Sequence, residues 1–251
     1  MSVEFINIDR EEFLASTLYK YLTLERSLEF LETKEIWFAS PTTWEDPFEK
    51  RFVETMYQTD EERIPFPWKD RVYCLCLSKN ANCEAYWNTY SKDDIGICFA
   101  FDSQKLLKLL EGFAKKNNVS IYIGAAEYQK TTTIKGKLSK NPFIGPSIDL
   151  EDPMTDAKML LLKRNAFKYE DEVRIILVKN APSAASGIMV NYPLENTELI
   201  KLVKIDPRVG DYVTKMLKTL FAEKYEFVPM SRRVNKSGIY ADQSPSYIKL
   251  D

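Results

Sequence analysis

A chain of 251 residues with 45% hydrophobic and 29% charged side chains has the composition of a soluble globular protein able to build a sizeable core. Its formal net charge of −2 argues against nucleic-acid binding by bulk electrostatics alone. With no histidine, Ser-His-Asp and Cys-His catalysis, H-E-x-x-H metal sites and imidazole proton shuttles are excluded; carboxylates, lysine, tyrosine, serine, arginine or backbone donors remain.

Residues 1–70 carry 16 acidic against 8 basic side chains and residues 201–251 carry 6 against 10, so a polyanionic partner would engage the C-terminal end. The N-terminus MSVEFINIDREEF lacks the basic and apolar regions of a signal peptide, and no stretch reaches 18 consecutive apolar residues. A cytoplasmic protein without membrane contact is expected. Cys74, Cys76, Cys83 and Cys98 are then expected as free thiols, and their C-x-C-x6-C-x14-C spacing fits no common zinc pattern.

In chain order, Leu18–Leu22 is a β-type run, Leu24, Leu28 and Leu31 follow at helical spacing, and Ile36–Ala39 returns to strand character. Pro41 and Pro47 break the chain around TTWEDPFEKRF, and residues 58–70 read as an exposed, mobile loop. Val72–Leu77 is a strand. Asn82 is placed to cap a short helix, CEAYWNTY, with Tyr86 and Tyr90 on one side. Gly96–Phe101 is a strand, and Asp102 caps an amphipathic helix bearing Leu106, Leu107, Leu110 and Phe113. Ile121–Tyr128 is a strand, and residues 130–146 form a second mobile loop.

Asp152-Pro153 opens a helix through MTDAKMLLLKRNAF, and a strand over 172–178 follows it. Leu202–Ile205 is a strand, Asp206-Pro207 starts a helix with Val209, Val213, Met216 and Leu220, and Phe227–Met230 is a short strand. The expectation is a single α+β domain over 1–251, with a mixed or antiparallel sheet core flanked by helices. No glycine-rich phosphate loop is present.

Three constellations carry candidate chemistry. In FKYEDEVRIILVKN, Glu170, Glu172 and Arg174 occupy alternate positions and would share one face of a strand. Such carboxylates can hold a sugar hydroxyl and stabilise an oxocarbenium ion; alternatively Glu172 pairs structurally with Arg174 or with Lys163 on the preceding helix. In LYKYLT, Lys20 and Tyr21 sit on a strand before a helix start, where a cation can hold pyrophosphate or carboxylate; the plainer alternative is an edge strand. Ser78, Tyr86, Trp87 and Tyr90 could stack a planar ring such as nicotinamide or a base, or pack beneath a strand.

The order LYKYLTLERSLEFLETKEIWFASPTTWEDPFE, CLCLSKN, AYWNTY, DIGICFAF and LLLKRNAFKYEDEVRIIL resembles a widespread bacterial family known only as a domain of unknown function. Its Y-K-Y, D-P-F-E, W-x-x-Y and Y-E-x-E-x-R-I motifs appear here in order, although Trp44-Glu45 replaces Phe-Asn, Tyr86 replaces Met, Phe167 replaces Trp, and no histidine precedes Tyr90. More weakly, a polar first strand followed by a helix, a later aromatic or serine strand, and E-x-E-V opening a core strand are similar to mono-ADP-ribosyltransferases. That resemblance implies an ADP-ribosyltransferase-like fold and NAD as substrate. It makes Glu172 the catalytic carboxylate and Glu170 the guide for the acceptor. Lys20 or Tyr21 then stands at the first-strand position.

The leading expectation is therefore an NAD-dependent ADP-ribosyltransferase-like enzyme, a toxin or phage-defence effector that modifies a nucleic acid or protein. Lys20, Tyr21, Ser78, Trp87, Tyr90, Lys163 and Arg174 are its candidate cofactor-binding residues, and no resident metal is required. A second expectation is a metal-dependent phosphodiesterase using Asp152 or Asp156 with Glu170, Glu172 and Lys163. A third is a non-catalytic interaction module in which the same charges form a buried network.

Overall fold

The structure is a computed structural model that describes residues 3–46, 49–50, 56–58, 63–65, 70–91, 95–134, 153–183, 185–227 and 234–236. In chain order the strands are β1 (Val3–Ile6), β2 (Leu18–Thr23), β3 (Glu35–Ala39), β4 (Met56–Gln58), β5 (Arg63–Pro65), β6 (Val72–Ser78) and β7 (Gly96–Phe101). They continue with β8 (Ser120–Ala125), β9 (Glu127–Gln129), β10 (Leu162–Arg164), β11 (Glu172–Val178), β12 (Gly187–Asn191), β13 (Ile200–Ile205) and β14 (Val234–Lys236). The helices are α1 (Arg10–Ala15), α2 (Leu24–Thr33), α3 (Glu84–Tyr90), α4 (Ser103–Asn117), α5 (Pro153–Leu160), α6 (Asn196–Leu199) and α7 (Asp211–Tyr225).

One ten-stranded sheet organises the chain in the order β1-β8-β11-β6-β2-β7-β13-β14, with β3 also joined to β6 and β12 joined to β3. Its pairs are antiparallel except β1 with β8 and β13 with β14. The fold is thus α+β, with a mostly antiparallel core flanked by helices. Strand β11 is buried along its whole length between β6 and β8, which explains its nearly unbroken apolar run. Val173, Ile175 and Leu177 face a core built with α2, α4 and α7, while Ile176 and Val178 face α5. Tyr86 and Trp87 of α3 pack on Tyr21 and Cys98.

Several local expectations need correction. Asp102 caps α4 as expected, accepting from the backbone N–H of Gln104 and Lys105. Asn82 does not cap α3, which begins after Cys83 without a side-chain cap; the Asn82 amide oxygen instead accepts from Lys204 at 2.9 Å. The strand expected over 121–128 breaks at Ala126, whose N–H donates to the Glu172 carbonyl. The helix expected to run on through Phe167 stops at Leu160, because Leu162–Arg164 pairs in parallel with β9. Lys163 is consequently a strand residue.

Helix α7 turns partly away from its expected stripe, of which Val209, just before the helix, and Leu220 pack against the core. Thr214, Leu217, Phe221 and Tyr225 face the core, whereas Val213 and Met216 are 38% and 54% exposed. The helix starts only at Asp211, and packing of the two aromatics fixes its face.

Of the loop expected over 58–70, Arg63–Pro65 pairs with Met56–Gln58 as a hairpin. Of that expected over 130–146, residues 131–134 are helical with Ile134 buried, and 135–146 lie outside the described residues. Phe227 is a buried non-strand residue, and 228–230 lie outside the described residues. The four cysteines are free thiols. No described helix is long and apolar enough to cross a membrane.

Candidate functional site

The start of β11 is set by a tight turn. A 3-10 segment, Asn165–Glu170, ends at Asp171, whose φ of 43° lies in the left-handed region that side chains other than glycine rarely adopt. Neighbouring groups hold the turn. The Glu170 carbonyl accepts from Ser78 Oγ at 2.6 Å and Tyr86 Oη at 3.1 Å, and the Glu172 N–H donates to Tyr128 Oη at 2.8 Å. Ser78 and Tyr86 therefore fix backbone.

The charges meet beneath this turn. Glu172 Oε2 accepts from Arg174 Nε at 2.9 Å, from Arg174 Nη2 at 2.8 Å and from Lys163 Nζ at 3.1 Å. Lys163 also donates to Glu170, and Arg174 to Glu49 and, at 2.6 Å, to the Leu160 carbonyl. All five charged side chains are buried. With each ionised, three carboxylates face two cations, and removing such a group leaves an uncompensated buried charge.

The two glutamates of the E-x-E pair respond oppositely. Burial alone would raise the Glu172 pKa, but Arg174 and Lys163 outweigh it and hold this carboxyl below its usual range. Burial, with the neighbouring Glu172 charge, pushes Glu170 up to about 7. Near neutral pH the turn carries one firmly ionised carboxylate beside one that is partly protonated.

A fork in the sheet places a cleft next to this network. Strand β11 takes one edge of β6 along its full length. The other edge is shared: β2 pairs through Tyr19 with Ser78, and β3 pairs through Ala39 with Cys74. Between those points the strands part, and Lys20 Nζ donates to the Cys76 carbonyl at 3.1 Å. The opening is a cavity of about 310 Å³ lined by Lys20, Arg26, Phe30, Trp37, Trp44, Cys74, Cys76, Tyr90, Phe101 and Met189, among others. A recess of only about 10 Å³, room for about one water, shares Lys20, Cys76 and Tyr90 with it and reaches Glu172, Tyr21 and Ser78. Trp44 lines the cleft and lies 4.7 Å from the Arg174 guanidinium carbon, a cation–π contact linking cleft wall to charge network.

The aromatic residues form a column. Tyr21 stacks on Tyr86 at 4.7 Å between ring centroids, and Tyr86 on Tyr90 at 5.6 Å. Tyr90, 42% exposed, ends the column at the cleft. Burial of its hydroxyl, then the charge of Glu172, raises its pKa well above the usual phenol value.

Among the sequence candidates, Lys20 and Tyr90 line the cleft; Tyr21, Ser78 and Glu172 line the recess; Lys163, Arg174 and Glu170 belong to the network. Trp87 is 1% exposed, packs edge-on to Tyr21, and lines neither opening. Glu49, Trp37, Trp44 and Tyr128 were missed. For Glu49 the one available signal was its place in the D-P-F-E motif. Among the described residues, no group of three His, Cys, Asp or Glu side chains is placed to hold a metal ion. Asp152 and the Asp156 side chain lie outside the described set.

Fold and site together define an α+β protein whose split sheet opens a cleft beside a buried ionic network. Residues 86–175, from α3 into β11, match the model of a family described as "Protein of unknown function (DUF2971)". The W-x-x-Y and Y-E-x-E-x-R-I motifs fall inside that match, and Y-K-Y and D-P-F-E precede it. Neither a curated protein nor a solved structure matches the chain.

Proposed function

We propose that the protein is an NAD-dependent ADP-ribosyltransferase-like enzyme of the cytoplasm, acting on a nucleic acid or protein as a toxin or phage-defence effector. One observation carries this reading: the sheet forks beside Glu172, so an aromatic cleft and an ionised carboxylate at a strand mouth adjoin through Lys20, Cys76 and Tyr90. The nicotinamide ring stacks on Tyr90, which extends the Tyr21–Tyr86–Tyr90 column. Breaking the C1′–N bond releases neutral nicotinamide with the bonding pair and leaves an oxocarbenium ion at C1′. The Glu172 charge stabilises that cation, and Arg174 and Lys163 keep Glu172 deprotonated. An acceptor O–H or N–H then bonds to C1′ and loses its proton. Glu170, with a pKa of about 7, is matched to take it. Its carboxylate is buried against Lys163 and lines neither opening, so the transfer runs through an intervening water.

The phosphodiesterase reading draws less support, since Arg174 and Lys163 occupy carboxylate oxygens that a hard cation would need. The closed network does favour one second reading, a non-catalytic module in which these charges fix the fold. Calorimetric titration separates the three. NAD binding without Mg²⁺ supports ADP-ribosyl transfer, Mg²⁺ or Mn²⁺ binding supports the phosphodiesterase, and neither supports the module.

A further inference from the structure

Trp37 points outward from β3 with 44% of its surface exposed, while its neighbours Ile36 and Phe38 are buried. Its place is prepared by the adjoining strand. A Cβ built on Gly187 of β12 would lie 2.1 Å from Trp37 Cζ2 and 2.5 Å from Cη2. Only a glycine there lets the indole lie against the β12 backbone. Met189, directly across from Trp37, is 39% exposed, and both line the forked cleft.

The cleft volume of about 310 Å³ is at the lower end of the range for small-molecule pockets. Tyr90 belongs to the end that adjoins the Glu172 recess, whereas Trp37 does not line that recess. Lys20 and Arg26 line the same cleft beside Glu29 and Glu35, and the two cations are the groups there suited to the phosphates that join two nucleoside halves. Arg26 also contacts Glu29 at 2.7 Å, but that ion pair is exposed and weak enough to exchange for a phosphate.

We infer that Trp37 is a stacking platform for the adenine ring, which makes the cleft selective for a dinucleotide over nicotinamide mononucleotide. This rests on the NAD reading of the same cleft. The test is calorimetric titration of the full chain, wild type, Trp37→Ala and Trp37→Phe, with NAD, ADP-ribose and nicotinamide mononucleotide. Trp37→Ala is expected to weaken NAD and ADP-ribose about tenfold or more and to leave the mononucleotide unchanged, with Trp37→Phe retaining most of the affinity. Equal weakening of all three ligands, or unchanged NAD and ADP-ribose affinity, overturns the role of Trp37 while wild-type NAD binding keeps the broader reading. Wild-type protein that binds none of the three overturns both.

Discussion

Arg174 and Glu172 stand two residues apart on β11, and two nitrogens of the guanidinium converge on one carboxylate oxygen, at 2.9 and 2.8 Å. Arg174 is 1% exposed, so its charge has no route to water. Replacing Glu172 by Gln keeps the volume and removes the charge. Glu49 still pairs with Arg174. The change is expected to cost about 3 kcal/mol of stability, the lower end for breaking a buried pair. Urea unfolding measures this cost, and the melting temperature should drop by several degrees.

The pH dependence should be dominated by Glu170 between its usual value of 4.5 and its folded value of about 7. In that window the folded state holds a proton that the unfolded state has released. Stability therefore falls as pH rises, and the penalty is complete above about 7. Glu172 acts in the opposite sense: its lowered pKa adds stability above 4.5 that is lost as pH falls. Glu170→Gln should become more stable relative to wild type as pH is raised from about 5 to about 8, by on the order of 1–3 kcal/mol. A difference that is flat with pH would show that Glu170 titrates normally.

Tyr86 and Tyr90 share the aromatic column but should differ on mutation. Tyr86→Phe loses the 3.1 Å bond to the buried Glu170 carbonyl and should cost about 1 kcal/mol of stability. Tyr90→Ala removes a half-exposed ring and should leave the fold intact while weakening NAD binding by roughly 1–3 kcal/mol. Equal losses of stability and binding for Tyr90→Ala would make it a packing residue only.

Helix α7 offers a check on packing. Leu217→Ala should cost about 2–5 kcal/mol because Leu217 is 5% exposed. Met216→Lys, one residue away and 54% exposed, should change stability by no more than about 0.5 kcal/mol. Thermal denaturation of the two variants measures the contrast.

What was legible in the sequence was local. The alternation in EVRIILV marks β11 and puts Glu172 and Arg174 on one face, and Asp102 before an amphipathic run marks the start of α4. Long-range pairings left little trace. Glu49 meets Arg174 across 125 residues, and beyond its place in the D-P-F-E motif nothing in its surroundings signals that it is buried. The three residues of β10 are strand only because β9 pairs beside them; alone, LLLKRN continues a helical run, which misplaced Lys163. Helical periodicity likewise caught only part of the buried face of α7: Leu220 packs on the core, but Phe221 and Tyr225 outweigh Val213 and Met216 there. The sheet fork, which creates the cleft, depends on two single-residue bridges to β6 that no local pattern encodes.

The central claim is that the Glu172 charge, held beside the forked cleft, drives cleavage of the nicotinamide–ribose bond. It is tested most directly by nicotinamide release from NAD, measured for wild type and Glu172→Gln at a temperature below both melting transitions. Wild type should release nicotinamide, and the folded variant should do so roughly 10²–10³ times more slowly, the loss expected when one electrostatic stabiliser is removed. Equal rates from the two folded proteins, or a wild type that neither binds NAD nor releases nicotinamide, would contradict the claim.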